Sequence, residues 1–276
     1  MATDRRLALI TGASSGIGAE LARIHASRGG DLVITARRQK ELERLKTDLE
    51  SSHGSRVHVI VKDLAEPDAP QAIYNDLNTR GLRIDYLMNN AGFGNYGLFH
   101  QQDWARNEAM IKVNVLALAA LTRLFLPDMV ARRSGRVLNV ASMAGFLPGP
   151  LQAVYYATKA FVISFSEAIA NELAGTGVTA TVLCPGPVET EFARQAGTQG
   201  VRGFARMASA HEVAQAGYEA MLRGRTMIVP GSLNKLMIHG LLRLAPRGLV
   251  TRTSRSLMEK RVRVDRWPPT DYAERG

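Results

Sequence analysis

The chain has 276 residues, of which 46% are hydrophobic and 22% charged, and its formal net charge is +10. Disordered, collagen-like and coiled-coil chains have other compositions, so one soluble domain with a large core is predicted. The single cysteine, Cys184, excludes an intramolecular disulfide and a cysteine-based zinc cluster, and it favours a reducing, cytoplasmic location.

Short apolar runs typical of β-strands alternate along the chain with amphipathic segments of helical periodicity. The predicted strands cover residues 7–11, 31–36, 56–61, 86–90, 136–141, 178–183 and 227–229. The predicted helices cover residues 18–28, 39–49, 68–77, 104–131, 155–173 and 211–222. Strands separated by such helices form right-handed βαβ units, which predicts an α/β fold with a doubly wound, parallel seven-stranded sheet of Rossmann type.

The first predicted strand ends in a glycine-rich turn that leads directly into a helix. Glycines at such a turn let the backbone approach a pyrophosphate, while the helix N-terminus offers unpaired N–H groups. The spacing is G-x-x-x-G-x-G, and small-residue turns also begin ordinary helices, so a purely structural role stays open. Its place in the first βα unit favours a dinucleotide site formed by Gly12, Ser14, Ser15, Gly16, Ile17 and Gly18.

Two arginines, Arg37 and Arg38, follow the second predicted strand, where NAD-binding folds usually carry an acidic residue for the ribose 2′-hydroxyl. A guanidinium at this place can instead pair with a 2′-phosphate in fork geometry. Both arginines could also be solvated side chains at a helix start, although cations are disfavoured at that end of the helix dipole. The pair favours NADP(H) as the cofactor.

Ser142 follows the fifth predicted strand, and Tyr155 and Lys159 open the helix after it. A Tyr and a Lys four residues apart share a helix face, and a nearby cation lowers the pKa of a phenol toward neutrality. Tyr155 is therefore a candidate proton donor to a carbonyl oxygen that Ser142 hydrogen-bonds, while a nicotinamide provides the hydride. Tyr156 is an alternative donor, because it also lies close to the face of Lys159. Asn114, in a predicted helix, completes the candidate catalytic set.

These landmarks together resemble the short-chain dehydrogenase/reductase family, in its compact single-domain branch. The resemblance extends over about residues 6–229. Ser142 and Tyr155 have the family's usual separation, and Ala157-Thr158 aligns Tyr155, not Tyr156, with the family's proton donor. The matching motifs are the glycine turn at 11–18, Asp63-Leu64, Asn89-Asn90-Ala91-Gly92, Asn114, Ser142, Tyr155-Tyr156-Ala157-Thr158-Lys159, and Pro185-Gly186 followed by Thr190.

The resemblance implies a role for each of these positions. Asp63 would lie beside the adenine, and Asn114 would hold a water in a proton relay. Lys159 would hydrogen-bond the nicotinamide ribose, and Thr190 would contact the nicotinamide carboxamide. A homodimer or homotetramer is implied as well, since family members usually associate through the helices predicted at 104–131 and 155–173. The other implied cofactor contacts are Leu64, Asn90, Ala91, Gly92, Tyr155, Pro185, Gly186 and Val188.

The loops after the fourth, fifth and sixth predicted strands should form the substrate pocket, because ligands bind at the strand ends of such sheets. Most of their large side chains are apolar, which favours a lipophilic small-molecule carbonyl or alcohol as substrate. No metal site is predicted, since the six histidines lack metal-ligand spacing. The apolar side chains are Phe93, Tyr96, Phe99, Met143, Phe146, Leu147, Leu151, Phe192, Phe204 and Met207.

Positive charge is concentrated near the C-terminus, where residues 223–266 hold eleven Lys or Arg against two acidic residues and include the apolar run 236–249. We assign residues 1–230 to an NADP-binding catalytic domain and residues 231–276 to a basic, apolar, helical extension. The extension is expected to pack on the same domain with a solvated basic face, and peripheral membrane contact is an alternative. A nucleic-acid partner is not favoured, because the extension has few aromatic residues for stacking on bases.

The sequence therefore predicts an NADP(H)-dependent oxidoreductase that interconverts a carbonyl and an alcohol, with Tyr155 as proton donor or acceptor. The alternative is an NADP(H)-binding regulatory protein without turnover. Such a regulator needs the cofactor cleft but no proton donor, so the complete set of candidate acid–base residues disfavours it.

Overall fold

A computed structural model describes residues 5–201, 207–231, 234 and 245–259. The strands in this part of the chain are β1 (Leu7–Thr11), β2 (Asp31–Ala36), β3 (Val57–Val61), β4 (Tyr86–Asn89), β5 (Gly135–Val140), β6 (Val178–Leu183) and β7 (Met227–Ile228). The helices are α1 (Gly16–Ser27), α2 (Gln39–His53), α3 (Ala69–Thr79), α4 (Trp104–Ile111), α5 (Leu118–Ala131), α6 (Ala153–Glu172), α7 (Phe192–Gln195), α8 (Ala210–Leu222) and α9 (Arg247–Met258). A π-helical turn, Lys112–Ala117, joins α4 to α5.

The strands of the described residues form one seven-stranded sheet of order β3-β2-β1-β4-β5-β6-β7, in which every neighbouring pair is parallel. Helices cover both faces, so the predicted doubly wound Rossmann-type fold is confirmed. The chain changes direction across the sheet between β1 and β4. This is the topological switch point, at which ligands bind in such folds.

All seven predicted strands are confirmed, with ends shifted by at most one residue. The helix boundaries differ more, and α2 continues to His53 instead of ending at residue 49. Its last turn is polar and has no apolar periodicity, but the helix continues until Gly54 adopts a left-handed conformation with φ of 64°. Of the predicted C-terminal extension, α9 is described, while most of the apolar run 236–249 lies outside the described residues.

The apolar core of the described residues covers both faces of the sheet in three clusters, one of which contains Val162 and Ile163 of α6 with Val182 of β6. On one face, α1, α2 and α8 pack on side chains such as Ile10 and Ile34. On the other face, α3 and α5 pack on side chains such as Leu9 and Leu87. Because the buried strands contribute to both faces, the alternate residues of β1 divide between the clusters on the two faces.

One helix, Trp104–Ala131 with its π turn included, would be long and apolar enough to cross a membrane if length and hydropathy alone decided. In the structure its residues Val113, Leu121 and Phe125 belong to the core on the α3 side of the sheet. Packing inside the fold therefore accounts for one side of this helix, whereas Trp104 and Leu116 of the same helix are exposed.

A chain of buried amides and hydroxyls connects β4, β5, α5 and α6 beneath the strand ends. The Asn89 amide donates to Asn139 Oδ1 (2.9 Å) and to Thr122 Oγ1 (3.0 Å). Asn139 in turn donates to Ser166 Oγ (2.9 Å), whose hydroxyl donates to the carbonyl of Val162 (2.6 Å). Buried polar groups that pair in this way fix one relative placement of the strands and helices that carry them.

His25 is buried between α1 and α8. Its Nδ1 lies 2.8 Å from Tyr218 Oη and its Nε2 lies 2.9 Å from the carbonyl of Arg6. Gly30 is required beside it, because a Cβ there would come within 2.1 Å of the imidazole ring. Burial lowers the pKa of His25 below its ordinary value of 6.5.

This lowered pKa predicts a loss of stability in weak acid that depends on His25. The unfolded chain binds more protons than the folded protein below pH 6.5, so the free energy of unfolding falls as the pH drops from 6.5 toward the folded pKa. The contribution is at most about 1.4 kcal/mol per pH unit. Urea denaturation between pH 7.5 and 5 should show a shallower pH dependence for His25→Gln, whereas His53→Gln, at an exposed position, should match the wild type. Equal slopes for all three proteins would contradict this account.

Candidate active site

A cleft of about 380 Å³ opens at the carboxyl ends of the strands around the switch point. Two of the predicted site residues, Gly18 and Asn114, lie behind its wall and not in it. The others line the cleft: Gly12, Ser14, Ser15, Gly16, Ile17, Arg37, Arg38, Asp63, Leu64, Asn90, Ala91, Gly92, Ser142, Tyr155, Lys159, Pro185, Gly186, Val188 and Thr190. The fold thus brings residues from six different loops together.

The glycine turn lies tightly against the end of β4. Gly12 has φ of 67°, and a Cβ there would come within 2.8 Å of Ala91 Cα. The Asn90 amide donates to the carbonyls of Thr11 (2.9 Å) and Gly12 (3.2 Å). Gly18 packs behind the turn, where a Cβ would lie 2.4 Å from Asn90 Nδ2. Side chains are excluded at Gly12 and Gly18, so the turn presents its backbone to the cleft.

The N-terminus of α1 faces the cleft without a side-chain cap. Ser15 is the N-cap residue but makes no capping hydrogen bond, and the first turn of the helix has no acidic residue. The unpaired N–H groups and the helix dipole favour an anion at this place, and Ser14 and Ser15 add hydroxyl donors. These donors and the glycine backbone fit the pyrophosphate of a dinucleotide.

Arg38 connects the glycine turn to the segment that begins α7. Its Nη1 donates to Glu191 Oε2 (2.8 Å), while its Nε and Nη2 donate to Ser14 Oγ (3.3 and 3.2 Å). Arg37 is largely exposed, and its Nη1 lies 3.8 Å from Asp63 Oδ2. The two guanidinium groups and the Ser14 hydroxyl form a donor set for a phosphate at the end of β2, although Glu191 competes for Arg38.

Tyr155 is nearly buried at the start of α6. The expectation that a nearby cation lowers its pKa is wrong for the protein itself: burial raises the pKa of the phenol far above its usual value, and a hydrogen bond with Ser142 offsets only part of this rise. Lys159 Nζ lies 5.8 Å from the centre of the Tyr155 ring. Tyr155 is therefore a neutral phenol near pH 7, which is the form that donates a proton.

Lys159 is buried one turn further along α6. Its Nζ donates to the carbonyl of Val140 (2.8 Å), at the end of β5. Gly92 gives the ammonium group room, because a Cβ there would lie 3.3 Å from Nζ. Burial lowers the pKa of Lys159 from 10.5 to about 8. An ammonium group has three donors, so the bond to Val140 leaves donors for a ligand in the cleft.

Asn114 lies in the π-helical turn between α4 and α5 and is completely buried. Its Oδ1 accepts from the N–H of Phe93 (3.1 Å), and its amide donates to the carbonyl of Phe93 (3.0 Å) and to Thr158 Oγ1 (3.1 Å). The Thr158 hydroxyl donates to the carbonyl of Tyr155 (2.7 Å). Asn114 therefore fixes the loop after β4 against the first turn of α6. The water that the resemblance assigns to it stays a prediction.

Tyr156 also lines the cleft, but it faces other partners than Tyr155 does. Its hydroxyl donates to Met258 Sδ of α9 (3.3 Å). Its ring packs on Gly149, where a Cβ would come within 2.1 Å of the ring. Tyr155 has both Ser142 and Lys159 as neighbours, so the geometry favours Tyr155 as the proton donor and leaves Tyr156 in contact with the C-terminal helix.

Only some of the apolar residues of the predicted substrate loops line the cleft. Phe93 and Phe192 line the cleft, and the Phe192 ring centre lies 5.3 Å from that of Tyr155. Phe204 lies outside the described residues. The others are described but lie outside the lining of this cleft: Tyr96, Phe99, Met143, Phe146, Leu147, Leu151 and Met207.

Sequence patterns do not single out four polar residues of the cleft, which are Lys62, Gln152, Glu191 and Gln195. Gln152 precedes Tyr155 by one helical turn, and that spacing is the signal that could have indicated it. Glu191 has no local signal, because its partner Arg38 is 153 residues away in the chain. Only the folded structure, in which the strand ends come together, shows that these two residues are partners.

Comparison with known proteins identifies similar chains and folds. A family model described as "short chain dehydrogenase" matches residues 6–200. A short chain dehydrogenase of Pseudocercospora fijiensis is 36% identical over 193 residues, which are 68% of this chain and 61% of that protein. The chain therefore spans less than two thirds of this relative's length.

Two solved structures have the same fold. A short-chain dehydrogenase from Sphingobium yanoikuyae in complex with NADPH matches with a TM-score of 0.79 and 32% identity, over 95% of this chain and 100% of the other. A short chain dehydrogenase/reductase from Burkholderia phymatum in complex with NAD matches with a TM-score of 0.77 and 28% identity, over 88% of this chain and 94% of the other.

Replacing the buried Lys159 by methionine should stabilise the folded protein at neutral pH. The lowered pKa means that burying the ammonium costs about 3 kcal/mol, of which the bond to Val140 returns about 1 kcal/mol, so a net gain of about 2 kcal/mol is expected at pH 7. The gain should disappear as the pH rises through 8 to 10.5, because the wild-type lysine then becomes neutral in the folded state.

Chemical denaturation of Lys159→Met and wild type at pH 7 and pH 10 measures this difference. Lys40→Met, at an exposed position of α2, is the matched control and should change the free energy of unfolding little at either pH. A destabilised Lys159→Met protein at pH 7 would contradict the account of a costly buried cation.

Proposed function

The chain belongs to the short-chain dehydrogenase/reductase family, and on that premise we propose that it is an NADP(H)-dependent oxidoreductase that interconverts a carbonyl and an alcohol on a lipophilic small molecule. The observation that carries the proposal is the placement of Tyr155. Its neutral phenol lies with Ser142 and Lys159 in the wall of the cleft that the glycine turn also lines.

The chemistry follows from these groups. A bound nicotinamide cofactor supplies or accepts the hydride. In the reducing direction Ser142 hydrogen-bonds the substrate's carbonyl oxygen, and Tyr155 donates its proton to the same oxygen. Lys159, held by the carbonyl of Val140, stabilises the phenolate that proton donation leaves behind. In the oxidising direction the same groups act in reverse, with Tyr155 as the base.

The proposed lipophilic substrate is supported by the walls near Tyr155. Phe93 and Phe192 line this side of the cleft, and the Tyr155 ring contacts Phe192. Apolar walls with few polar groups favour an apolar ligand whose orientation is set by a small number of hydrogen bonds.

The proposed preference for NADP(H) is supported by the donors at the end of β2. Arg37, Arg38 and the Ser14 hydroxyl line the cleft there, and β2 is followed by no acidic side chain that could accept from a ribose 2′-hydroxyl. The two similar structures hold NADPH in one case and NAD in the other, so the family as a whole does not decide the cofactor. The arginine pair is the feature of this chain that favours NADP(H).

We also propose that the protein is a homodimer or homotetramer. Large apolar side chains are exposed on the two helices that the family resemblance assigns to association: Trp104 (59%), Leu116 (58%) and Phe161 (39%). The Phe161 ring stacks on Phe165 at 5.6 Å, which makes a flat apolar surface on α6. Exposed apolar patches of this kind favour contact between copies of a chain.

Peripheral membrane contact and a cytoplasmic location complete the proposal. On α9, Leu249 and Leu257 are exposed, and Arg252 and Arg255 are exposed on the same helix, a combination that suits an anionic lipid surface. Tyr96 donates to the carbonyl of Met258, so α9 contacts the catalytic domain from the other side.

Cys184 is buried and unbridged, as suits a reducing compartment.

Tyr155→Phe should strongly reduce turnover, because it removes the proposed proton donor and keeps the ring. Loss of a general acid lowers kcat by about 10²- to 10⁴-fold. The measurement is NADPH oxidation, followed by absorbance, with a panel of apolar ketones, aldehydes and 3-oxoacyl compounds. Tyr156→Phe is the matched control and should retain turnover; loss in that variant alone would identify Tyr156 as the donor. NADPH binding without turnover on any substrate would favour the regulatory alternative.

Arg38→Leu should weaken NADPH binding selectively. Loss of one charge-assisted contact to the 2′-phosphate is expected to raise the Kd for NADPH by about 10- to 100-fold, with little change for NADH. Fluorescence titration with both cofactors measures the ratio, and Arg44→Leu, an exposed position on α2, is the control. An equal loss for NADPH and NADH would show that Arg38 supports the glycine turn and does not read the phosphate.

A further inference from the structure

Gln152 is a polar side chain without a partner in the wall of the cleft. It is 2% exposed, and among the described residues no hydrogen-bond partner lies within reach of its Nε2. We propose that Gln152 is a specificity-determining residue, whose carboxamide hydrogen-bonds a second oxygen of the substrate, next to the carbonyl that is reduced. This inference rests on the proposed function and adds a substrate class to it.

The backbone around Gln152 is unusual for a helix start. Gln152 is the N-cap residue of α6 but makes no capping hydrogen bond. The preceding Leu151 has φ of 70°, a strained conformation for a branched side chain. Its carbonyl accepts from the N–H of Gly97 (2.9 Å), which holds this conformation in place. Gln152 itself has φ of −137° and ψ of 36°, outside the extended region that N-cap residues usually adopt.

The surroundings of the Gln152 carboxamide contain few groups that could form a hydrogen bond with it. A Cβ on Gly94 would lie 3.3 Å from Gln152 Nε2 and 3.1 Å from both Phe192 Cζ and Ala196 Cβ, so the amide lies among small and apolar groups. The carbonyl of Gly94 already accepts from Arg106 Nη2 (3.3 Å). A buried amide without a partner lowers stability. Five buried side-chain polar atoms of the described residues have no partner, and Gln152 Nε2 is the one among them whose residue lines the cleft, where a ligand could pair with it.

The position of Gln152 limits where the second oxygen can be. Tyr155 is the N3 residue of α6, and the side chains of N-cap and N3 residues lie beside each other at a helix start. A substrate whose reacting oxygen meets Tyr155 therefore places groups one or two carbons away near Gln152. The inferred class is a lipophilic ketone with a hydroxyl or second carbonyl on the α or β carbon, or the corresponding alcohol.

Two pairs of aryl ketones of matched size test this assignment. 2-Hydroxyacetophenone is compared with propiophenone, and 3-hydroxypropiophenone with butyrophenone, since each pair exchanges a hydroxyl for a methyl group. Wild type, Gln152→Met and Gln152→Leu are assayed for kcat/KM with NADPH. The control is Gln101→Met, the same substitution at an exposed residue.

In Gln152→Met, kcat/KM for at least one hydroxylated ketone should fall by about 10- to 100-fold relative to the wild type. The value of kcat/KM for the matched methyl ketone should change little. Gln101→Met should leave every ratio as in the wild type. Gln152→Met should also raise Tm, by about 2–4 °C, because an unpaired buried amide is removed. The rise in Tm is independent of activity and shows that the variant folds; Gln152→Leu repeats the test with a second apolar side chain.

Two other results would overturn the inference and are distinguishable from each other. An equal loss for both members of each pair would assign Gln152 a structural role and leave the proposed function intact. A wild type that reduces none of the four ketones would remove the inferred substrate class, and failure on the wider carbonyl panel would remove the proposed function as well.

Discussion

The site depends on one close contact between the ends of β1 and β4. Thr11 Oγ1 accepts from the backbone N–H groups of Asn90 (3.0 Å) and Ala91 (2.9 Å), and the Asn90 amide donates back to the end of β1. The contact joins the glycine turn to the loop that Asn114 holds against α6. Buried side chains of Thr11, Asn90 and Asn114 therefore link the cofactor cradle at the end of β1 to the helix that carries Tyr155.

The buried polar groups of this protein are of two kinds: groups that form hydrogen bonds with other protein groups, and groups that the fold leaves with donors unpaired. Beneath the site, the amide nitrogens of Asn89 and Asn139 donate to neighbouring side chains and thereby hold strands and helices together, although Asn89 Oδ1 has no partner among the described residues. Among the described residues, the Lys159 ammonium in the cleft has one hydrogen-bond acceptor, and the Gln152 amide nitrogen has none. Groups of the second kind lower the stability of the folded state, and a ligand that pairs with them recovers that free energy.

The alternation of apolar runs was sufficient to predict the strands and the doubly wound sheet, because burial on both faces leaves a strong pattern in the strands. The motifs predicted many of the residues that line the cleft, but Gly18 and Asn114 lie behind its wall, and the lining residues Lys62, Gln152, Glu191 and Gln195 were not singled out. Helix ends were predicted less well, since the polar last turn of α2 shows no periodicity. The pKa of Tyr155 was predicted in the wrong direction, because spacing along a helix reports a nearby lysine but not the loss of water around a phenol.

The sequence by itself determined the order of the elements and the kinds of side chain at the strand ends, because strand periodicity and short motifs are local properties. Only the tertiary structure decided which of these side chains meet and how much water reaches them. It pairs Arg38 with Glu191, turns Tyr156 toward Met258 of α9, and leaves Gln152 buried beside Tyr155. These outcomes depend on residues far apart in the chain and on burial, neither of which a local pattern records.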